Sequence, residues 1–166
     1  MSRVYGSFRI VFVCTGNICR SPAAENIFRE HARRAGLLPD LAIDSAGTGD
    51  WHEGEGIDPR SVQALRAAGY AAEGYARGLR SGELPRHDLV VCMDRSHVRE
   101  VIARGAPQDR VVLVREFDGG RSHDEVPDPY YGGDAGFDEM IRMLEAAMEG
   151  LVARVRGEIA KNRGGA

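Results

Sequence analysis

The chain reads as one α/β domain: a parallel sheet of four strands with helices on both faces. Three observations predict this. Short β-branched and aromatic runs alternate with longer amphipathic segments, the pattern of strand–helix–strand units. The length, 166 residues, fits one domain with its own core. No internal repeat, low-complexity stretch or linker divides the sequence, so residues 1–166 are expected to form a single domain with its core over about 7–160.

Residues 7–13 read as a buried strand that ends at a Gly-containing turn. Ser21-Pro22 marks a helix start, with Pro22 in the first turn, where its missing N–H costs nothing. Ala23, Ala24, Ile27, Phe28 and Ala32 keep helical spacing up to about Gly36. Residues 40–46 form the second strand, followed by a Gly-rich loop with Trp51 and His52. Asp58-Pro59 opens a helix through about Ala68, stopped by Gly69. Residues 75–86 give the weakest pattern. A third strand spans 87–93, a helix runs from Ser96 to about Arg104, and a fourth strand spans 110–114. The last helix, about 135–159, carries Phe137, Met140, Ile141, Leu144, Met148, Leu151 and Val155 on one stripe. Between them, residues 115–133 read as a loop dense in Asp, Gly and Pro, a length unusual in a compact domain and often functional.

Composition excludes several classes. Hydrophobic (43%) and charged (28%) contents are those of a soluble globular protein. A net charge of −3 gives no reason to expect nucleic acid or an anionic membrane as partner. The apolar run 8–13 is too short for a signal-peptide core or a membrane span, so a cytoplasmic protein without membrane insertion is expected. Basic residues are nearly all Arg, with Lys161 the single lysine. Three cysteines, Cys14, Cys19 and Cys92, argue against a disulfide framework and leave room for a reactive thiol. The five histidines lack ligand spacing, and no metal or cofactor is expected.

The segment Cys14-Thr15-Gly16-Asn17-Ile18-Cys19-Arg20-Ser21 joins the first strand to the first helix. Open α/β sheets bind ligands at the carboxyl ends of strands, near helix N-termini that offer unpaired N–H groups to an anion. A short loop there can curl its amides around one phosphate. Gly16 and Asn17 tolerate the left-handed conformations such a nest needs. A cysteine at its start is favoured as thiolate by the helix end and a nearby cation, which makes Cys14 a candidate nucleophile. Arg20 can pair two phosphate oxygens through its planar fork. Ser21 can donate a hydrogen bond to the sulfur. A nucleotide-binding Gly-x4-Gly-Lys-Ser/Thr loop is absent. Against all this stands the plainer reading of Cys14 as a small buried hydrophobe.

The stretch from Val13 to Glu25, with Asp44-Ser45-Ala46-Gly47-Thr48, Trp51-His52, Cys92-Met93-Asp94 and Asp128-Pro129-Tyr130-Tyr131-Gly132, resembles the low-molecular-weight protein tyrosine phosphatases, in the same order over nearly the whole chain. The resemblance implies a four-stranded parallel sheet and hydrolysis of protein phosphotyrosine, with inorganic phosphate as product. It assigns the general acid to Asp128, whose flanking prolines limit where the carboxyl points. It places Trp51, Tyr130 and Tyr131 at the pocket mouth, beside loop residues Thr15 to Cys19 and Ser21. Ile18 and the Tyr pair match the tyrosine branch rather than the arginine-phosphatase branch, which has Thr at the Ile18 position. Cys19 matches a second loop cysteine that can form a reversible disulfide with Cys14. In the family the loop Asn is held by the Ser after the Arg, a Ser on the second strand and a His. Asn17, Ser21 and Ser45 match the first three, whereas Gly74 stands at the His position. A slipped alignment over 70–86, His87 or His52 in its place, or a water, are the alternatives. Two other readings are an arsenate reductase, which needs further redox cysteines, and a non-catalytic phosphotyrosine-binding module, which has no use for Cys14 or Asp128. A monomer is expected.

Overall fold

The computed structural model describes residues 7–119 and 124–164. The middle of the expected 115–133 loop and the extreme ends of the expected 1–166 domain lie outside them. The strands are β1 (Phe8–Cys14), β2 (Leu41–Gly47), β3 (Leu89–Cys92) and β4 (Val111–Leu113). The helices are α1 (Arg20–Arg34), α2 (Pro59–Ala67), α3 (Arg95–Ala103) and α4 (Asp134–Gly164). All strands pair in parallel in the order β2-β1-β3-β4.

Side chains alternate across β1, so it feeds two cores. Ile10, Phe12 and Cys14 face the larger one, with Ile27 and Phe28 of α1, Leu65 of α2 and the apolar stripe of α4. Val11 and Val13 face the smaller one, with Val90 and Cys92 of β3 and Val101 of α3. Helices therefore cover both faces. The expected stripe on α4, from Phe137 to Val155, is buried throughout. Each Cβ turned inward removes apolar area from water at about 25 cal/mol per Å2, which is why the α4 stripe decides where that helix lies.

Local details differ from the expectations or complete them. The segment after β4 is not loop from residue 115 onward: Val114–Phe117 closes one tight 3-10 turn, with Glu116 Oε1 accepting from the Leu113 N–H at 3.1 Å. Helix α4 begins at Asp134 and continues past Ile159 to Gly164, and α1 begins at Arg20, one residue before Ser21. The weakly patterned 75–86 stretch lies beside the β2 end, where Gly47 pairs with Gly78 and Gly56 with Tyr75, before a 3-10 turn at Leu84–Arg86.

The order β2-β1-β3-β4 puts a topological switch between β1 and β3. A crevice opens there at the strand carboxyl ends. Cys14 ends β1, and Asp94 follows β3 as the N-cap of α3.

Candidate active site

Cys14, Thr15, Gly16, Ile18, Cys19, Arg20, Trp51, His52, Asp128, Tyr130 and Tyr131 line one pocket of about 290 Å3 at that crevice. Its base is the loop 14–20. None of the N–H groups of residues 16–20 is bonded to a main-chain carbonyl among the described residues. Helix α1 adds its N-terminal dipole, so the loop is an anion receptor. Of the two residues expected to need left-handed backbone only Asn17 adopts it, at φ 57°. Gly16 has a different reason to be small: a Cβ there would come 3.0 Å from the His52 ring, which would have to shift slightly.

Asn17 and Ser21, expected in the substrate contacts, do not line the pocket. They are buried beneath the loop. Asn17 Nδ2 donates to Ser21 Oγ at 2.8 Å and to Ser45 Oγ at 3.0 Å, and its Oδ1 accepts from the Arg77 N–H at 3.0 Å. Ser45 passes its own hydrogen to Glu25 Oε1, 2.6 Å away. Ser21 Oγ lies 2.9 Å from Cys14 Sγ, and towards a thiolate, which can only accept, Ser21 is the donor. Asn17, Ser21 and Cys14 thus form one hydrogen-bonded run that ends at the sulfur.

Among the described residues no histidine joins this run. His87 bonds Glu83 and His52 bonds Glu55. Gly74 has φ +120°, with open space where a side chain would start. Glu25 takes its positive partner from Arg29, one turn on, at 3.0 Å. Replacing Asn17 by alanine removes three buried hydrogen bonds and places a Cβ residue without a helpful amide in left-handed backbone. A loss of about 3 kcal/mol is expected in the urea unfolding midpoint analysis.

Arg20 is 3% exposed and is held by Asp94 Oδ2 at 2.8 Å, the Val126 carbonyl at 3.1 Å and Thr15 Oγ1 at 3.3 Å. Burial works against the Asp94 carboxylate, but hydrogen bonds from Ser96 and Arg20 hold it down at about 2. The guanidinium is therefore aimed, not free to swing. Asp128 Oδ2 lies 3.8 Å from Arg20 Nη2, and its Oδ1 accepts from the Tyr130 N–H at 3.0 Å. The segment carrying it is pinned at several points. The Val126 N–H donates to the Met93 carbonyl at 2.9 Å. Arg115 donates to the Glu125 carbonyl, and Arg60 to the Tyr130 carbonyl. Trp51 (63% exposed) and Tyr131 (92%) stand at the mouth as aromatic walls that the core does not claim.

Cys19 is buried, and burial together with the Asp58 carboxylate pushes its thiol up to about 12. Cys92 is wholly buried on the other face of the sheet, and burial raises its thiol strongly. Among the described residues no group of three or more His, Cys, Asp or Glu side chains is placed to hold a metal ion, and no helix is long and apolar enough to cross a membrane. Sequence reading missed Asp94 as the partner of Arg20, along with Arg60, Arg115 and the lining role of His52. The adjacent Cys92-Met93-Asp94 motif was the available signal for Asp94.

The family model described as low molecular weight phosphotyrosine protein phosphatase matches residues 9–161. The chain belongs to that family. A low molecular weight protein-tyrosine-phosphatase of Streptomyces coelicolor is 48% identical over 161 residues, covering 92% of this chain and 96% of that protein. Among solved structures, a protein tyrosine phosphatase from Entamoeba histolytica with Hepes in its active site superposes with a TM-score of 0.86 at 34% identity, over 92% of this chain and 99% of that one. The arginine phosphatase YwlE of Bacillus subtilis, in a form with a phosphorylated active-site serine in place of cysteine, superposes at 0.80 and 30% identity, over 90% and 96%. The chain is thus a protein-tyrosine phosphatase, a hydrolase whose substrates carry phosphotyrosine and whose product is phosphate.

Proposed function

We propose that hydrolysis proceeds in two displacements through a phosphocysteine at Cys14. The Cys14 thiolate attacks phosphorus as the bond to the tyrosine oxygen breaks. Asp128, protonated at that moment, gives its proton to the departing phenolate. Water then attacks the phosphocysteine, Asp128 takes its proton, and the S–P bond breaks with Ser21 donating to the leaving sulfur. Arg20 and the N–H groups of residues 16–20 hold the three equatorial oxygens and supply the positive charge, so the reaction needs no metal. The observation that carries this reading is the convergence of Cys14, Arg20 and Asp128 on one pocket, with a hydrogen-bonded run from Asn17 through Ser21 ending at the sulfur. The phosphorylated active-site serine that replaces a cysteine in YwlE supports a covalent intermediate.

Trp51, Tyr130 and Tyr131 are read as the walls that hold the phenyl ring, and Ile18 as part of the floor that excludes the guanidinium of phosphoarginine. Neither alternative reading gains from the site. A reductase would need a further redox cysteine beyond Cys14 and Cys19, and Cys92 is buried on the opposite face. A pure binding module gained its support from Gly74, but Asn17 is fully bonded without a side chain there. Cys19 would act in redox protection as a protonated thiol. It would condense with a peroxide-generated sulfenic acid on Cys14, releasing water and forming the Cys14–Cys19 disulfide. The enzyme is read as a cytoplasmic monomer.

Metal-free assays of phosphotyrosine peptide, phosphoserine peptide and phosphoarginine between pH 5 and 8 test the reading. Turnover of phosphotyrosine alone, abolished by iodoacetate, is the expected result. Preferred turnover of phosphoarginine would refute the assignment of Ile18 and the aromatic walls.

A further inference from the structure

His97 is 1% exposed on the first turn of α3 and has no part in the steps above. Its ring is engaged on both sides. The Asp94 backbone N–H lies 3.1 Å from Nδ1, and Nε2 lies 2.9 Å from Thr15 Oγ1. A backbone N–H can only donate, so Nδ1 is the acceptor and the ring hydrogen resides on Nε2. Burial, opposed by the Asp94 carboxylate and assisted by Arg20, pushes the imidazole down to about 4, and the ring is neutral at working pH. Nε2–H therefore donates to Thr15 Oγ1. Arg20 Nη2 donates to the same oxygen at 3.3 Å.

A hydroxyl accepts two hydrogen bonds and donates one. With both acceptor places of Thr15 taken, its hydrogen must be given away, and no protein acceptor reaches it among the described residues. Thr15 lines the pocket between Cys14 and Arg20.

We propose that His97 is a positioning residue that turns the Thr15 hydroxyl into a one-way donor to the phosphoryl group bound over Cys14. The proposal rests on reading the pocket as a phosphoryl site. In it the loop gains a side-chain donor in addition to its amides. The choice of tautomer at His97, set by the N-cap of α3, decides that the Thr15 hydrogen points to the anion.

Inorganic phosphate titrated into the full chain by calorimetry is the probe, with kcat and KM for a phosphotyrosine peptide measured alongside. Thr15→Val is expected to weaken phosphate binding about tenfold or more, the worth of one hydrogen bond to a charged group. Thr15→Ser is expected to recover most of that loss. His97→Leu is expected to weaken binding as Thr15→Val does, and the double variant to be no weaker than Thr15→Val alone. Additive losses in the double variant would mean that His97 only holds α3, and would overturn the proposal. Should His97→Leu fail to fold, the two Thr15 variants decide: equal phosphate affinity for Thr15→Val and wild type overturns it. Wild-type protein that neither binds phosphate nor hydrolyses phosphotyrosine overturns the site reading and this proposal together. Wild-type protein that does both, matched by Thr15→Val, overturns this proposal alone.

Discussion

Cys14→Ser is expected to lower kcat for a phosphotyrosine peptide by on the order of 10⁴-fold or more, with the peptide's Kd little changed. The two halves of this expectation have separate causes. A serine alcohol is far less acidic than a thiol, so the hydrogen-bonded run from Asn17 through Ser21 can no longer hold the attacking atom as an anion. Binding depends on other groups. Arg20 stays fixed by Asp94 and the Val126 carbonyl, and the N–H groups of residues 16–20 do not involve the side chain at position 14. Rapid-quench turnover and calorimetric binding of the same peptide separate the two effects. Mass spectrometry should find at most a stable phosphoserine at position 14, because an alkoxide is a poor leaving group in the second displacement. Full turnover by the variant would rule out Cys14 as nucleophile.

Asp128→Ala is expected to cost about 10²- to 10⁴-fold in kcat/KM with phosphotyrosine, and much less with aryl phosphates whose phenols are acidic. An acidic phenol departs as the phenolate without help, whereas tyrosine's needs a proton. Asp128 is well placed for this because its carboxylate is held at both ends. Oδ1 is bonded to the Tyr130 N–H, and Oδ2 faces Arg20 across 3.8 Å, about the width that a phosphoryl oxygen could bridge. The check is a plot of log(kcat/KM) against leaving-group pKa, which should steepen in the variant. Equal losses across the series would show that Asp128 acts on the loop's shape and transfers no proton to the leaving oxygen.

Much of the site was legible because its chemistry is local in sequence. Cys14, Asn17, Arg20 and Ser21 fall within eight residues, and the strand before them and the helix after them follow from periodicity alone. Less was legible where neighbours are distant. Asn17 and Ser21 sit under the loop rather than in the pocket because Ser45 and Arg77, on other segments, draw the amide inward. The expected vacancy at Gly74 is no defect in this chain, because the Arg77 backbone satisfies Asn17 and Arg29 balances Glu25. Nothing in the local pattern of residues 74–77 announces the first contact, whereas the second is an i,i+4 pair within α1.

By itself the sequence determined the element order, the alternating burial of β1, the stripe on α4 and the loop from Cys14 to Ser21, since each depends on period, turn chemistry or spacing within a few residues. Tertiary structure alone decided the rest. The order β2-β1-β3-β4 brings Asp94 to Arg20 across 74 positions and His97 to Thr15 across 82. It also lets Arg60 and Arg115 pin the segment that carries Asp128. Such pairings are set by how two cores close around one sheet. A hydrogen bond between residues so far apart in the chain leaves no periodic trace along it.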